Sequence, residues 1–208
     1  MTKSGLFIAL TGGAIASFLL YSLVAPSAHC LANGLVAPKI LLLGDSITGT
    51  VSYRVTVKQA LLAKYPGARI TTLSYPGKGI AYIRAEGMKH VSWSKPDLVV
   101  LLAGVNDLAS GKSTNYVVKQ LDTTYRALEL QGVPVAAVLL TPWSEHSKGR
   151  KLQQETTEVN RFIKHHSIPC SVVRSGKITG LSTDGLHLTR AGGIQLAKSV
   201  INDALGVI

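Results

Sequence analysis

At 208 residues the chain suits one domain with room for a targeting segment ahead of it. Apolar residues make up 46% and charged residues 16%, with Gly 20 and Pro 8, which excludes a disordered, collagen-like or low-complexity chain. Lys+Arg 22 against Asp+Glu 11 leaves +11, a balance that favours anionic surroundings without choosing among nucleic acid, anionic lipid and an anionic envelope polymer.

No Asp, Glu, Lys or Arg stands between Ser4 and Pro38. Within that stretch Leu6 to Val24 is a mostly apolar run of 19 residues, preceded by Lys3. Its length matches the ~20 residues that a bilayer core requires, and it also resembles a secretory signal. A core helix would show a polar face, which this run lacks. Residues 1–32 are therefore read as a signal peptide or an N-terminal membrane anchor. The expected location is periplasmic or extracellular, or at the membrane through that segment. Processing points follow Ala28 or Ala32, neither in a clean A-x-A context. The basic residues after the run (Lys39, Arg54, Lys58) belong to a folding domain and weigh little on topology. Removing residues 1–32 takes away only Lys3, so the mature domain keeps 11 − 1 = +10.

From residue 38 to 208 a single domain is expected, without repeats. Short buried-type runs alternate with longer amphipathic ones. KILLL (39–43) precedes a helix over 51–64, and ARITTLS (68–74) one over 80–91. DLVVLLA (97–103) precedes a helix over 116–130, and VPVAAVLL (133–140) one over 152–165. CSVV (170–173) is a last short strand before a helix over 190–205. Continuous apolar runs mark strands buried on both faces. Their alternation with helices predicts an α/β fold, about five parallel strands with helices on both faces in three layers.

Ligands of such sheets bind beyond the carboxyl ends of the strands. The first strand is followed by Gly44-Asp45-Ser46, the second by Pro76-Gly77-Lys78-Gly79, and the third by Gly104-Val105-Asn106-Asp107. Asp184-Gly185-Leu186-His187 follows the fifth, just before the last helix. Taken singly, each cluster reads as a turn or a cap. On one edge of one sheet they hold every part that acyl transfer needs. Ser46 is the nucleophile, His187 its base, and Asp184 the group that orients the imidazole. The N–H groups of Ser46 and Gly77 and the Asn106 amide are the oxyanion donors, with Gly79 as alternative to Gly77. Asp45 and Asp107 are expected to fix the turns beside them.

These blocks resemble the SGNH (GDSL) hydrolase family: LLLGDSIT its nucleophile block, GVND its oxyanion asparagine block, and TDGLHLTRAG its Asp-x-x-His block. The resemblance implies a flavodoxin-like sheet and an esterase or lipase without a metal or other cofactor. It also implies that Ser46, Gly77, Asn106 and His187 hold the four name-giving roles. The second block departs from the family pattern, with Tyr75 where Asn usually stands. The G-x-S-x-G elbow of the alpha/beta-hydrolases is absent.

The remaining signals are weaker. Ser110-Gly111-Lys112-Ser113 lacks the first glycine of a phosphate loop, since Asn106 stands there. Trp143, Glu145 and His146 wall the pocket, form a mobile cover or belong to an ordinary exposed connection, and Lys148, Arg150 and Lys151 either meet an anionic substrate or are solvated. Cys30 and Cys170 cannot build a disulfide scaffold or a zinc site. A bridge between them requires that Cys30 be retained, and nothing in the sequence positions the pair.

The expected function is that of a serine esterase acting through an acyl-enzyme. Its substrate is an ester: an O-acetyl group of an envelope polysaccharide, or a lipid (phospholipid) or short acyl ester. The alternative is a catalytically silent module that binds anionic glycan or lipid. No nucleic-acid partner is expected, because aromatics are 6% and the basic residues are scattered.

Overall fold

The computed structural model describes residues 30–31, 35–143, 149–175 and 178–206. The apolar run, both processing points, and Glu145, His146 and Lys148 lie outside them.

Five strands are present: β1 (Lys39–Gly44), β2 (Arg69–Ser74), β3 (Leu98–Leu102), β4 (Val135–Val138) and β5 (Ser171–Val173). They form one parallel sheet in the order β2-β1-β3-β4-β5. Every residue of β3 and β4 is buried, as unbroken Val, Leu and Ala runs demand of strands covered on both faces. β2 sits at an edge, and from Ile70 onward its side chains are half-buried, which its two threonines tolerate.

The helices are α1 (Val51–Lys64), α2 (Ile80–Ser94), α3 (Val105–Ala109), α4 (Thr114–Leu130), α5 (Gly149–His165) and α6 (Arg190–Val200). Contacts pair α1 with α6 and place α2, α4 and α5 in series, the two outer layers of the flavodoxin-like arrangement. Each helix returns antiparallel to the strand before it, so helix N-termini and strand carboxyl ends share one edge. α4 begins at Thr114, two residues ahead of expectation, because the Ser113 hydroxyl caps it by accepting from Tyr116 N at 3.2 Å. The last turn of the C-terminal helix differs from the expected α-helix: Ile201–Leu205 is a π-turn.

The two cysteines are joined. A Cys30–Cys170 disulfide brings together residues 140 apart in sequence, their Cα atoms 5.4 Å apart. Cys170 N donates to Val135 O, and Cys30 N to Ala204 O, at 3.0 and 3.1 Å. Leu31 is buried in the core. Residues 30 and 31 are therefore part of the folded domain, seated at the amino edge of the sheet. Closing a loop of this length removes chain entropy worth about 5 kcal/mol in the unfolded state. Among the described residues no helix is long and apolar enough to cross a membrane.

Candidate active site

β1 ends at Gly44, and the chain turns through Asp45–Gly49 into α1. Asp45 is wholly buried, and its Oδ1 accepts from Ile47 N at 2.9 Å. Its carbonyl accepts from Gly49 N and from the Ser74 hydroxyl, the latter at 2.8 Å. The turn is thus tied both to itself and to the end of β2, and Ser46 stands half-exposed upon it. Ser46 is not in the left-handed region; among the described residues Lys95 is the one non-glycine with positive φ. This turn presents its hydroxyl without the strain of a nucleophile elbow. Burial pushes the Asp45 carboxyl up to about 7, against the pull of the Ile47 N–H and the charge of His187. Among the described residues its Oδ2 has no hydrogen-bond partner.

The loop between β5 and α6 is closed by an antiparallel bridge between Leu181 and Leu188. Ser182 N donates to His187 O at 2.7 Å, and Gly185 N to Ser182 O at 2.9 Å. Inside this ring Asp184 Oδ1 receives the Ser182 hydroxyl at 2.5 Å and the N–H groups of Leu186 and His187 at 3.0 Å. Its Oδ2 lies 2.5 Å from His187 Nδ1. The Ser182 hydroxyl first, then the His187 ring and the two backbone donors, hold the Asp184 carboxyl far below the usual carboxylate range. His187 Nε2 lies 2.9 Å from Ser46 Oγ. A hydroxyl, an imidazole and a carboxylate that are 138 or more residues apart in part (46 against 184 and 187) are hydrogen-bonded in line. Ser182 was not anticipated; its signal is a hydroxyl two residues ahead of an aspartate in a tight turn.

The second and third clusters meet each other. Asp107 is buried, and its Oδ2 accepts from Ile80 N at 2.9 Å, tying the start of α2 to α3. Burial raises the Asp107 carboxyl and the Ile80 N–H draws it back. Asn106 Nδ2 donates to Lys78 O at 3.0 Å, pinning the Pro76–Gly79 loop beside the site. The two glycines differ. A Cβ on Gly79 would fall 2.4 Å from Asp107 Oδ1, whereas Gly77, at φ 71°, faces open space. Among the described residues, the N–H groups of Ser46, Gly77 and Gly79 donate to no backbone carbonyl. Tyr75, in the position of the usual Asn, extends the strand pairing through its N–H to Gly44 O at 2.9 Å and sets its ring edge-on to Tyr82.

Other singled-out residues lie elsewhere. Trp143 is buried, its Nε1 donating to Thr156 Oγ1 at 3.1 Å, so it anchors α5 and is no mobile cover. Lys151 pairs with Glu155 on the same helix. Ser110–Ser113 joins two helices, where a phosphate loop would join a strand to a helix. Among the described residues no group of three His, Cys, Asp or Glu could hold a metal. An open groove of about 700 Å³ runs between the N-terminal halves of α1 and α6, lined by Thr50, Val51, Ser52, Val55, Arg190 and Ile194.

A parallel flavodoxin-like sheet with these four clusters on its carboxyl edge defines a hydrolase of ester bonds. The chain belongs to the GDSL-like lipase/acylhydrolase family, whose model matches residues 42–193. An acetylxylan esterase from Geobacillus stearothermophilus is 25% identical over 206 residues, spanning 79% of this chain and 93% of that protein. The fold is similar to that of an alpha/beta hydrolase enzyme from the metagenome of Lake Arreo, at TM-score 0.69 and 17% identity over 81% of this chain and 96% of that one. It is also similar to the lipase/acylhydrolase from Enterococcus faecalis, at TM-score 0.67 and 20% identity over 79% and 94%.

Proposed function

We propose that the protein is an exported serine esterase that removes O-acetyl groups from an envelope polysaccharide through an acyl-enzyme. The observation that carries this reading is the hydrogen-bonded line Ser46–His187–Asp184, with contacts of 2.9 and 2.5 Å. His187 Nε2 takes the Ser46 proton as Oγ forms its bond to the ester carbonyl carbon. The negative charge moves to the carbonyl oxygen, where the N–H groups of Ser46 and Gly77 and the Asn106 amide receive it. Gly77 is preferred to Gly79 because Gly79 is needed where Asp107 comes close. The imidazolium, held by Asp184, returns the proton to the leaving alcohol oxygen as the C–O bond breaks. Water then attacks the acyl-enzyme by the same route and releases the acid.

Three observations favour a carbohydrate alcohol. The Geobacillus stearothermophilus relative is an acetylxylan esterase. The α1–α6 groove is lined from Thr50, four residues after Ser46, and from Arg190, three residues after His187, and its hydroxyl and guanidinium groups with valine and isoleucine faces suit a sugar ring. The positive charge of +11 suits an acidic polymer. Export is supported by the Cys30–Cys170 disulfide, a bond that persists outside the reducing cytosol, and by the apolar run ahead of it.

Replacing Ser46 by Ala tests the core of this reading. Hydrolysis of p-nitrophenyl acetate should fall by roughly 10⁴-fold or more while the melting temperature stays within about 2 °C, within the range of a small surface change. Unchanged turnover in Ser46→Ala refutes the mechanism.

A further inference from the structure

The amino edge of the sheet, opposite the site, is built unlike the rest of the surface. The three most exposed large apolar side chains among the described residues are Leu130 at 85%, Val36 at 82% and Trp93 at 72%. All three fall on this edge. Val36 leads into β1, Trp93 is in the last turn of α2, and Leu130 is the last residue of α4. Basic residues surround them. Lys64 ends α1, Arg69 opens β2, Lys95 caps α2 and Lys164 stands in the last turn of α5; all four are exposed. Lys39, Arg69, His90 and Trp93 frame a cavity of about 350 Å³ between the strand ends and α2. Of the nearby carboxylates, Asp97 accepts from Lys39 N at 2.7 Å, and Glu129 is exposed beside Leu130. The edge is therefore cationic with apolar points, and an indole stands among them.

The same edge holds the tether point. Cys30 is fixed there by the disulfide and by its N–H bond to Ala204 O. Only residues 25–29 separate Cys30 from Val24, where the sequence's apolar run ends. So few residues span about 20 Å at most, roughly the height of a six-residue strand. An anchored domain is thus held by its amino edge close to the bilayer.

We infer that the amino edge is a docking surface for the headgroup layer of an anionic bilayer, and that Ser46 consequently faces away from the membrane. Tryptophan and leucine at headgroup depth with lysine and arginine around them are the chemistry such a layer selects. This orientation rests on the proposed tether and on the proposed role of the Ser46 edge. It sharpens the substrate class, because lipids of the host membrane are out of reach and an acetylated polymer beyond it is not.

The test uses the full chain in vesicles with brominated acyl chains, either phosphatidylcholine alone or with 30% phosphatidylglycerol (a proportion of about one in three). The chain has two tryptophans, and buried Trp143 reports folding. In anionic vesicles at least a twofold loss of Trp93 emission is expected. Trp93→Phe should remove the quenchable component and keep the Trp143 signal. Arg69→Glu with Lys95→Glu should bring quenching down to the level in phosphatidylcholine alone. Absence of Trp93 quenching in vesicle-bound chain overturns the proposal, as does quenching indifferent to lipid charge and to those two substitutions. Hydrolysis of the host vesicle's own lipid esters overturns the orientation. Intact mass of the bound chain shows separately whether the tether is retained, and Ser46→Ala kinetics in solution decide the catalytic reading independently of Trp93.

Discussion

The two halves of the site are held in different ways. The Ser46 turn grows out of the core: Asp45 beneath it is wholly buried, and the end of β2 locks its carbonyl. The loop that carries Asp184 and His187 is half in solvent, with side-chain exposures of 50% and 47%, and is held chiefly by hydrogen bonds within itself. Rigid placement of the Ser46 hydroxyl therefore depends on packing, whereas alignment of the His187 imidazole depends on a small polar ring. Substitutions in the second half should cost activity and leave stability nearly intact; substitutions beneath the first should do the reverse.

The largest effect should come from His187→Ala, which removes the proposed proton carrier. A fall in kcat of roughly 10⁴-fold or more is expected, with little change in the melting temperature. Asn106→Ala comes next, at roughly 10²–10³-fold in kcat for the loss of one proposed oxyanion donor. Because Asn106 also holds Lys78 O, a small loss of stability should accompany it.

The third test addresses the Ser46 half through pH. Burial raises Asp45 from 3.8 to about 7, so the folded state resists its ionisation. Stability should be greatest below the unfolded value, decline as pH rises, and level off above about 7. Linkage gives a loss of about 2 kcal/mol between pH 5 and pH 7. Asp45→Asn, which keeps an acceptor for Ile47 N, should flatten that slope in melting curves taken at constant ionic strength. A slope unchanged in the variant assigns the pH dependence to another group. The smallest effect is expected for Ser182→Ala: roughly tenfold in kcat, as one hydrogen bond to a charged group is lost, with the melting temperature unmoved. A stability loss without an activity loss would reverse the contrast between the halves.

The sheet was legible because its central strands are covered on both faces, which leaves runs such as LLL and VVLL with no polar interruption. The bounds of α1 were legible as well, from the turn that precedes it and Pro66-Gly67 beyond it. α3 was not: five residues are too few to show a period, and its start at Gly104 uses a φ of 130° that glycine alone adopts readily. Nor could a bridge across 140 residues be read, because it depends on where the start of β5 meets the last turn after α6. The different surroundings of Gly77 and Gly79 follow from one tertiary contact, the approach of Asp107, which no local pattern encodes. Ser182 illustrates the same limit, since its bond to Asp184 exists only once Leu181 and Leu188 have closed the loop.

Covalent trapping bears most directly on the central claim. On treatment with a fluorophosphonate, the alignment of Ser46 Oγ with His187 Nε2 predicts one adduct per chain, located by peptide mass mapping on Ser46. Ester hydrolysis should disappear in proportion to its formation, and His187→Ala should label far more slowly. Complete inactivation with the adduct on any other residue, or full hydrolysis by chains quantitatively modified at Ser46, would contradict the account.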